Sequence, residues 1–189
     1  LLTPHSDGLT TLVAPLEPST ADTIDVALVQ KVIELLREEF DYLIIDTPPA
    51  LDDNVLSAFD RSDMVALVAT LDIPALKNLK LTLETLDLIG YPREKLRIVL
   101  NRADSKVGLA LSEVEKTLKA PIVAQIPSSR DVPASTNRGV AIVVDEPKNP
   151  VSLAIRAFVD EHIVVATGTD EAIPAQMRTD RRSGRLWRR

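Results

Sequence analysis

Short, almost unbroken apolar runs alternate along this chain with longer stretches whose apolar residues recur at helical spacing, and that alternation confines the fold to a narrow class. The runs are Leu12 to Ala14, Tyr42 to Ile45, Met64 to Ala69, Leu96 to Leu100 and Ile122 to Ile126. A strand covered on both faces reads as a continuous apolar run, and strands alternating with helices build βα units around a parallel sheet. The expected fold class is therefore α/β, a parallel sheet with flanking helices. Aromatic residues make up only 3% of the 189 residues, so the core must be aliphatic, which suits such a sheet. That length has room for one sizeable core.

Helix signals fall between the runs. Ser19-Thr20-Ala21-Asp22 reads as a capping box ahead of an apolar stripe at Leu28, Val29, Val32, Ile33 and Leu36. Asp72 is the expected N-cap of the next helix, with Pro74 near its start. Leu76, Leu79, Leu83, Leu86 and Ile89 should line its buried face, and Gly90 and Pro92 should end it. Ser112-x-x-Glu115 and Ser128-x-x-Asp131 predict two further capping boxes. Asn149-Pro150 opens a last helix carrying Val151, Ile155, Phe158 and Val159, and extending to Ile163. Beyond Gly168 the periodicity stops. Residues 1–168 are thus expected to form the domain, and 169–189 a basic tail without fixed structure.

Composition removes several function classes. With no cysteine, disulfides, thiolate metal sites and cysteine nucleophiles are excluded. His5 and His162 lie far apart in sequence, which argues against a histidine metal site or triad. A net charge of −6 argues against direct nucleic-acid binding by the body of the domain. No apolar run approaches the ~20 residues of a membrane span.

In an open parallel sheet, ligands bind where strands end. The Tyr42 to Ile45 run ends in Asp46-Thr47-Pro48-Pro49. A carboxylate leaving a buried strand is costly unless it meets a cation, a donor or a helix N-terminus, so Asp46 either holds a metal or caps the next turn or helix. Val99-Leu100 ends in Asn101-Arg102. An asparagine there offers donor and acceptor together, as reading an adenine edge requires, or else closes an Asx turn. Ile126-Pro127 ends the last run, and the Pro127 carbonyl can accept from an exocyclic amine.

In this order the strand ends resemble a known family. Phe40 to Pro49 is similar to the second nucleotide motif of the MinD/ParA ATPases, a hydrophobic run followed by D-T-P-P. Val99 to Arg102 resembles their base-contacting N-R element. Ile126-Pro127, Val132-Pro133-Ala134 and Asn137-Arg138-Gly139 resemble their closing segment. Ser62 to Val65, Asp72 to Asn78 and Asn101 to Ser105 are similar to the CpaE/TadZ branch, relatives acting in pilus assembly and polar localisation. The likeness runs from about residue 8 to residue 160.

The resemblance implies a P-loop NTPase fold of the SIMIBI, MinD-like type that binds ATP and Mg²⁺, forms a nucleotide-dependent homodimer and hydrolyses ATP. It implies that Asp46 holds Mg²⁺, through water, as the catalytic aspartate. Thr47, Pro48 and Pro49 would form the switch, and Asn101, Arg102, Ile126 and Pro127 would hold the base. Implied roles are pilus assembly, polar localisation, septum placement or chromosome partitioning, in the cytoplasm and with pilus or polarity proteins as partners. The departure is the phosphate cradle: no glycine belongs to a G-x-x-x-x-G-K-[ST] motif. Because the chain opens Leu1-Leu2-Thr3, an upstream P-loop is expected, the fold is expected to be incomplete, and the chain alone is expected to be inactive and to expose apolar strand edges. The alternative is a nucleotide-independent scaffold with a degenerate ATPase fold. Residues 178–189 hold six arginines besides Leu186 and Trp187. They form either a solvated tail or a peripheral contact with the inner face of the plasma membrane.

Overall fold

The structure is a computed structural model that describes residues 2–5, 8–15, 23–104 and 110–164. The expected box at Ser19 to Asp22 and the tail 169–189 lie outside the described residues. The chain divides into two compact units, Leu1–Ala66 with Glu84–Leu96, and Leu67–Leu83 with Arg97–Arg189.

The first unit opens with a ribbon. β1 (Leu2–Pro4) pairs antiparallel with β2 (Thr10–Leu12), Thr3 opposite Thr11. The run at Leu12 to Ala14 therefore gives no strand of a parallel sheet: only Leu12 pairs, and Pro15, which has no N–H to donate, comes at once after it. α1 (Val26–Glu39) starts at Asp25, whose carboxylate accepts the Leu28 N–H at 2.8 Å. Of its stripe, only Ile33 is fully buried.

The run Tyr42 to Ile45 is extended but is not a strand. Strand structure requires a neighbour to exchange hydrogen bonds with, and none of the described residues pairs with this segment. Its apolar side chains stand open accordingly, Ile44 at 78% exposure.

Next comes a helix that the apolar spacing did not predict. α2 (Asp53–Arg61) is capped by Asp52, which accepts the Val55 N–H at 2.9 Å, and buries Val55, Ser57, Ala58 and Phe59. α2 packs on α1. Cations gather at its C-terminus, where unpaired carbonyls carry partial negative charge. Arg37 donates to the Arg61 carbonyl, and Lys95 Nζ donates to the Ser62 carbonyl at 2.9 Å. Arg61 itself pairs with Glu34, whose carboxyl its hydrogen bond and charge hold below the ordinary range. Tyr91, buried, sets its ring 5.9 Å from that of Phe59 and donates its hydroxyl to the Phe59 carbonyl at 3.0 Å.

β3 (Val65–Thr70), β4 (Leu96–Asn101) and β5 (Ile122–Ile126) form the expected parallel sheet in the order β3-β4-β5. β4 and β5 run parallel, with a register shift after Ile98 that leaves one extra residue on β5. α3 (Ile73–Leu88) starts as expected at Asp72, which accepts the Ala75 N–H at 2.9 Å. Leu79, Leu83 and Leu86 are buried, but Ile89 is 56% exposed. The reason is the helix end. Gly90 takes φ +73°, its N–H bonds the Asp87 carbonyl, and the Tyr91 N–H bonds the Leu86 carbonyl, a Schellman closure that turns Ile89 outward.

Elsewhere in the second unit Val99 and Ile126 join Ile142 and Val151 in one apolar cluster. α4 (Leu111–Leu118) has no side-chain cap, so the Ser112 box does not form; Glu115 instead accepts the Ile122 N–H at 2.9 Å and ties the helix to β5. The box at Ser128 is also replaced. Ser129 Oγ accepts the Asp131 N–H at 3.1 Å at the start of α5 (Asp131–Asn137), leaving the Ser128 N–H for another partner. After a short helix, α6 (Ile142–Asp145), Asn149 caps α7 (Pro150–Val159) as expected.

Candidate functional site

The ends of β4 and β5 meet in register. Asn101 is the cross-strand partner of Ile126, so two residues singled out for base contact lie side by side. The pairing runs past the strand, because the Ala103 N–H donates to the Ile126 carbonyl at 3.0 Å. Between Asn101 and Ala103 the backbone turns locally, with Arg102 in the left-handed region at φ +53°. Such a conformation is uncommon for a side chain of this kind. Asn101 Oδ1 steadies the turn by accepting the Arg102 N–H at 3.0 Å.

That bond runs to the next residue, whereas an Asx turn would use the N–H two residues on, which here goes to the Ile126 carbonyl. Asn101 keeps a second lone pair on Oδ1, so its amide still offers both an acceptor and a donor. Its Nδ2 donor has no acceptor among the described residues, and neither does the half-buried Pro127 carbonyl receive a donor there. Asn101 thus still presents donor and acceptor together, and the Pro127 carbonyl is a further acceptor beside it. Arg102 is exposed on the same turn.

Asp104 completes this corner and was not among the expected site residues. Its Oδ1 accepts the Ser128 N–H at 2.7 Å. The Ser128 hydroxyl, and after it that N–H, hold the Asp104 carboxyl below its ordinary range. Asp104 comes directly after Asn101-Arg102-Ala103 in the sequence, which marks it as part of the same turn. Its partner, 24 positions away, is set only by the strand pairing.

The other half of the expected site belongs to the first unit. Asp46 is exposed on the extended segment after Ile45, with no hydrogen bond or ion pair to the described residues. Thr47 is half-buried and Pro48 and Pro49 are exposed. Among the described residues no group of three or more His, Asp or Glu could hold a metal. The acceptor-only carboxylate of Asp46 nevertheless fits Mg²⁺, which commonly takes one or two carboxylates and completes its shell with waters and phosphate oxygens. Among the described residues no helix is long and apolar enough to cross a membrane.

No family model matches the chain. It is 27% identical over 129 residues to the septum site-determining protein MinD of Thermotoga maritima, which covers 66% of this chain and 48% of that protein. The chain thus spans about half the length of the curated relatives it matches. In structure it resembles a ParA family ATPase from Chlorobium tepidum (TM-score 0.80, 23% identity, 85% of this chain and 67% of that one). It also resembles the MinD of Pyrococcus horikoshii complexed with Mg-ADP (TM-score 0.74, 20% identity, 87% and 68%). The fold is that of the MinD/ParA P-loop ATPases, and the sequence relatives support that family.

Proposed function

We propose, from that family support, that this chain is the base-binding and metal-aspartate portion of an ATP-dependent MinD/ParA-type protein that positions or assembles other proteins. The observation that carries the reading is the register of Asn101 with Ile126, which sets an unspent amide donor on the strand end whose neighbour continues into an unspent Pro127 carbonyl. Adenine presents a ring-nitrogen acceptor beside an exocyclic amine donor, so one donor and one acceptor are its complement.

Asp46 would hold Mg²⁺ through water, a role in keeping with the Mg-ADP bound to the Pyrococcus protein of the same fold. The bound metal would supply neutralisation of phosphate charge. Thr47-Pro48-Pro49 leads directly toward the Asp52-capped α2, so a change at Asp46 would be passed to that helix. A phosphate cradle must come from a G-x-x-x-x-G-K-[ST] motif that this sequence does not contain, and the chain alone should not hydrolyse ATP. We assign the protein to pilus assembly or polar localisation, after the CpaE/TadZ-like segments. Septum placement or chromosome partitioning is the alternative, and a nucleotide-dependent homodimer would be the working form.

The test joins this chain to a P-loop-bearing segment and measures fluorescent ATP binding and phosphate release. Asn101→Ala should weaken binding about tenfold, one lost amide contact to the base. Asp46→Ala should abolish turnover. Unchanged binding in Asn101→Ala would refute the base assignment. A protein that docks its partner equally with and without nucleotide would be a scaffold instead.

A further inference from the structure

We propose that Asp104 is a positioning residue that holds the base-reading pair, Asn101 and Pro127, in place by clasping Ser128; the proposal rests on the base-site reading above. Two strand ends are otherwise free to splay once their ladder stops. Here the last ladder bond, from the Ala103 N–H to the Ile126 carbonyl, is succeeded at once by the bond from the Ser128 N–H to Asp104 Oδ1. Pro127 lies between these two bonds and cannot contribute an N–H of its own. Its carbonyl direction is therefore set by the residues on either side, Ile126 and Ser128, and both are held by the Asn101–Asp104 turn.

The same clasp acts on Asn101. The left-handed Arg102 is an unfavourable conformation that persists only when its surroundings hold it. On its N-terminal side the Asn101 Oδ1 bond holds it, and on its C-terminal side Ala103 and Asp104 do. Releasing Asp104 frees that side of the turn, and with it the direction of the Asn101 amide. A charge-assisted bond is the strong form for this purpose, and here the carboxylate accepts the Ser128 N–H at 2.7 Å.

Adenosine separates this role from phosphate binding, because it carries the base and no phosphate. The 189-residue chain, labelled with ¹⁵N, is titrated with adenosine while the amide signals of Arg102, Ala103, Ile126 and Ser128 are monitored. Wild type should show shifts centred on these amides, and Asn101→Ala should lose them. Asp104→Ala should weaken adenosine about tenfold and speed hydrogen exchange at the Ser128 amide. Asp104→Asn, which keeps an acceptor for that amide, should restore most of the affinity. A purely structural role would lower stability and leave the adenosine affinity of the folded protein unchanged, and that result overturns the proposal while sparing the base site. Wild type that ignores adenosine, with the Ser128 amide still protected, overturns the base-site reading and the proposal with it.

Discussion

Asn149 offers the sharpest test of how the second unit is held. Its Oδ1 accepts the Val151 N–H at 3.1 Å and so caps α7. Its Nδ2 donates at 2.9 Å to Asp131 Oδ2 and at 2.9 Å to Glu146 Oε2, joining the start of α5 and the end of α6 to α7. Asn149 is 9% exposed. Asn149→Ala removes the cap, worth about 1 kcal/mol. It also strips a donor from two carboxylates that water can reach, so the total should be about 2 kcal/mol. With a urea slope of about 2 kcal/mol per M, the midpoint should fall by about 1 M. Asn149→Asp separates the contributions: the cap survives, but a third carboxylate now faces the other two. Like charges this close repel by about 1 kcal/mol or more for each neighbour. At neutral pH Asn149→Asp should therefore be as unstable as Asn149→Ala, and it should recover in acid, where its protonated oxygen can donate. Urea unfolding monitored by circular dichroism at both pH values reads this. If Asn149→Asp matches wild type at neutral pH, the amide's two donations contribute nothing and the clasp has been misjudged.

Leu100→Ala, at a side chain with 0% exposure on the central strand, should cost about 3 kcal/mol in chemical unfolding. Tyr91→Phe should cost about 1 kcal/mol by removing the donor to the Phe59 carbonyl. Burial, then the charge of Asp60, raises the Tyr91 hydroxyl above its ordinary range. Its contribution should be intact below the unfolded-state pKa and lost as pH rises through the folded one, which ultraviolet titration of the phenol tracks. Asp72, Asp104 and Asp145 are all lowered, by the Thr70 hydroxyl, the Ser128 hydroxyl and Arg138 respectively. Their contributions should be full above the unfolded carboxylate range and lost as pH falls through it and below. Asp104→Asn should flatten that acid limb at the Ser128 amide in hydrogen exchange.

Local chemistry was legible wherever the deciding partner lies within a turn or two. Asp72 and Asn149 cap helices as their sequence contexts predict, and Gly90 ends α3 as expected. Signals that depend on a distant partner misled. Ser112 and Ser128 have the right spacing for capping boxes, yet Glu115 bonds Ile122 and Ser128 bonds Asp104, because the packed strands offer those partners first. α2 was legible in principle: Asp52 precedes an acidic first turn and a Val55-x-x-x-Phe59 stripe.

Taken alone, the order of residues determined the α/β class, the three strands β3, β4 and β5, and the resemblance at Asp46, Asn101 and Ile126-Pro127. Apolar period and strand-end chemistry are local properties, and they survive without knowledge of neighbours. Tertiary structure alone decided three matters. It left Tyr42 to Ile45 extended and unpaired, since a strand exists only where another exchanges bonds with it. It engaged one lone pair of the Asn101 oxygen with the Arg102 N–H and left the Pro127 carbonyl without a donor among the described residues. And it brought Asp104 to Ser128, a contact between positions far apart in the chain that only the register of β4 on β5 makes possible.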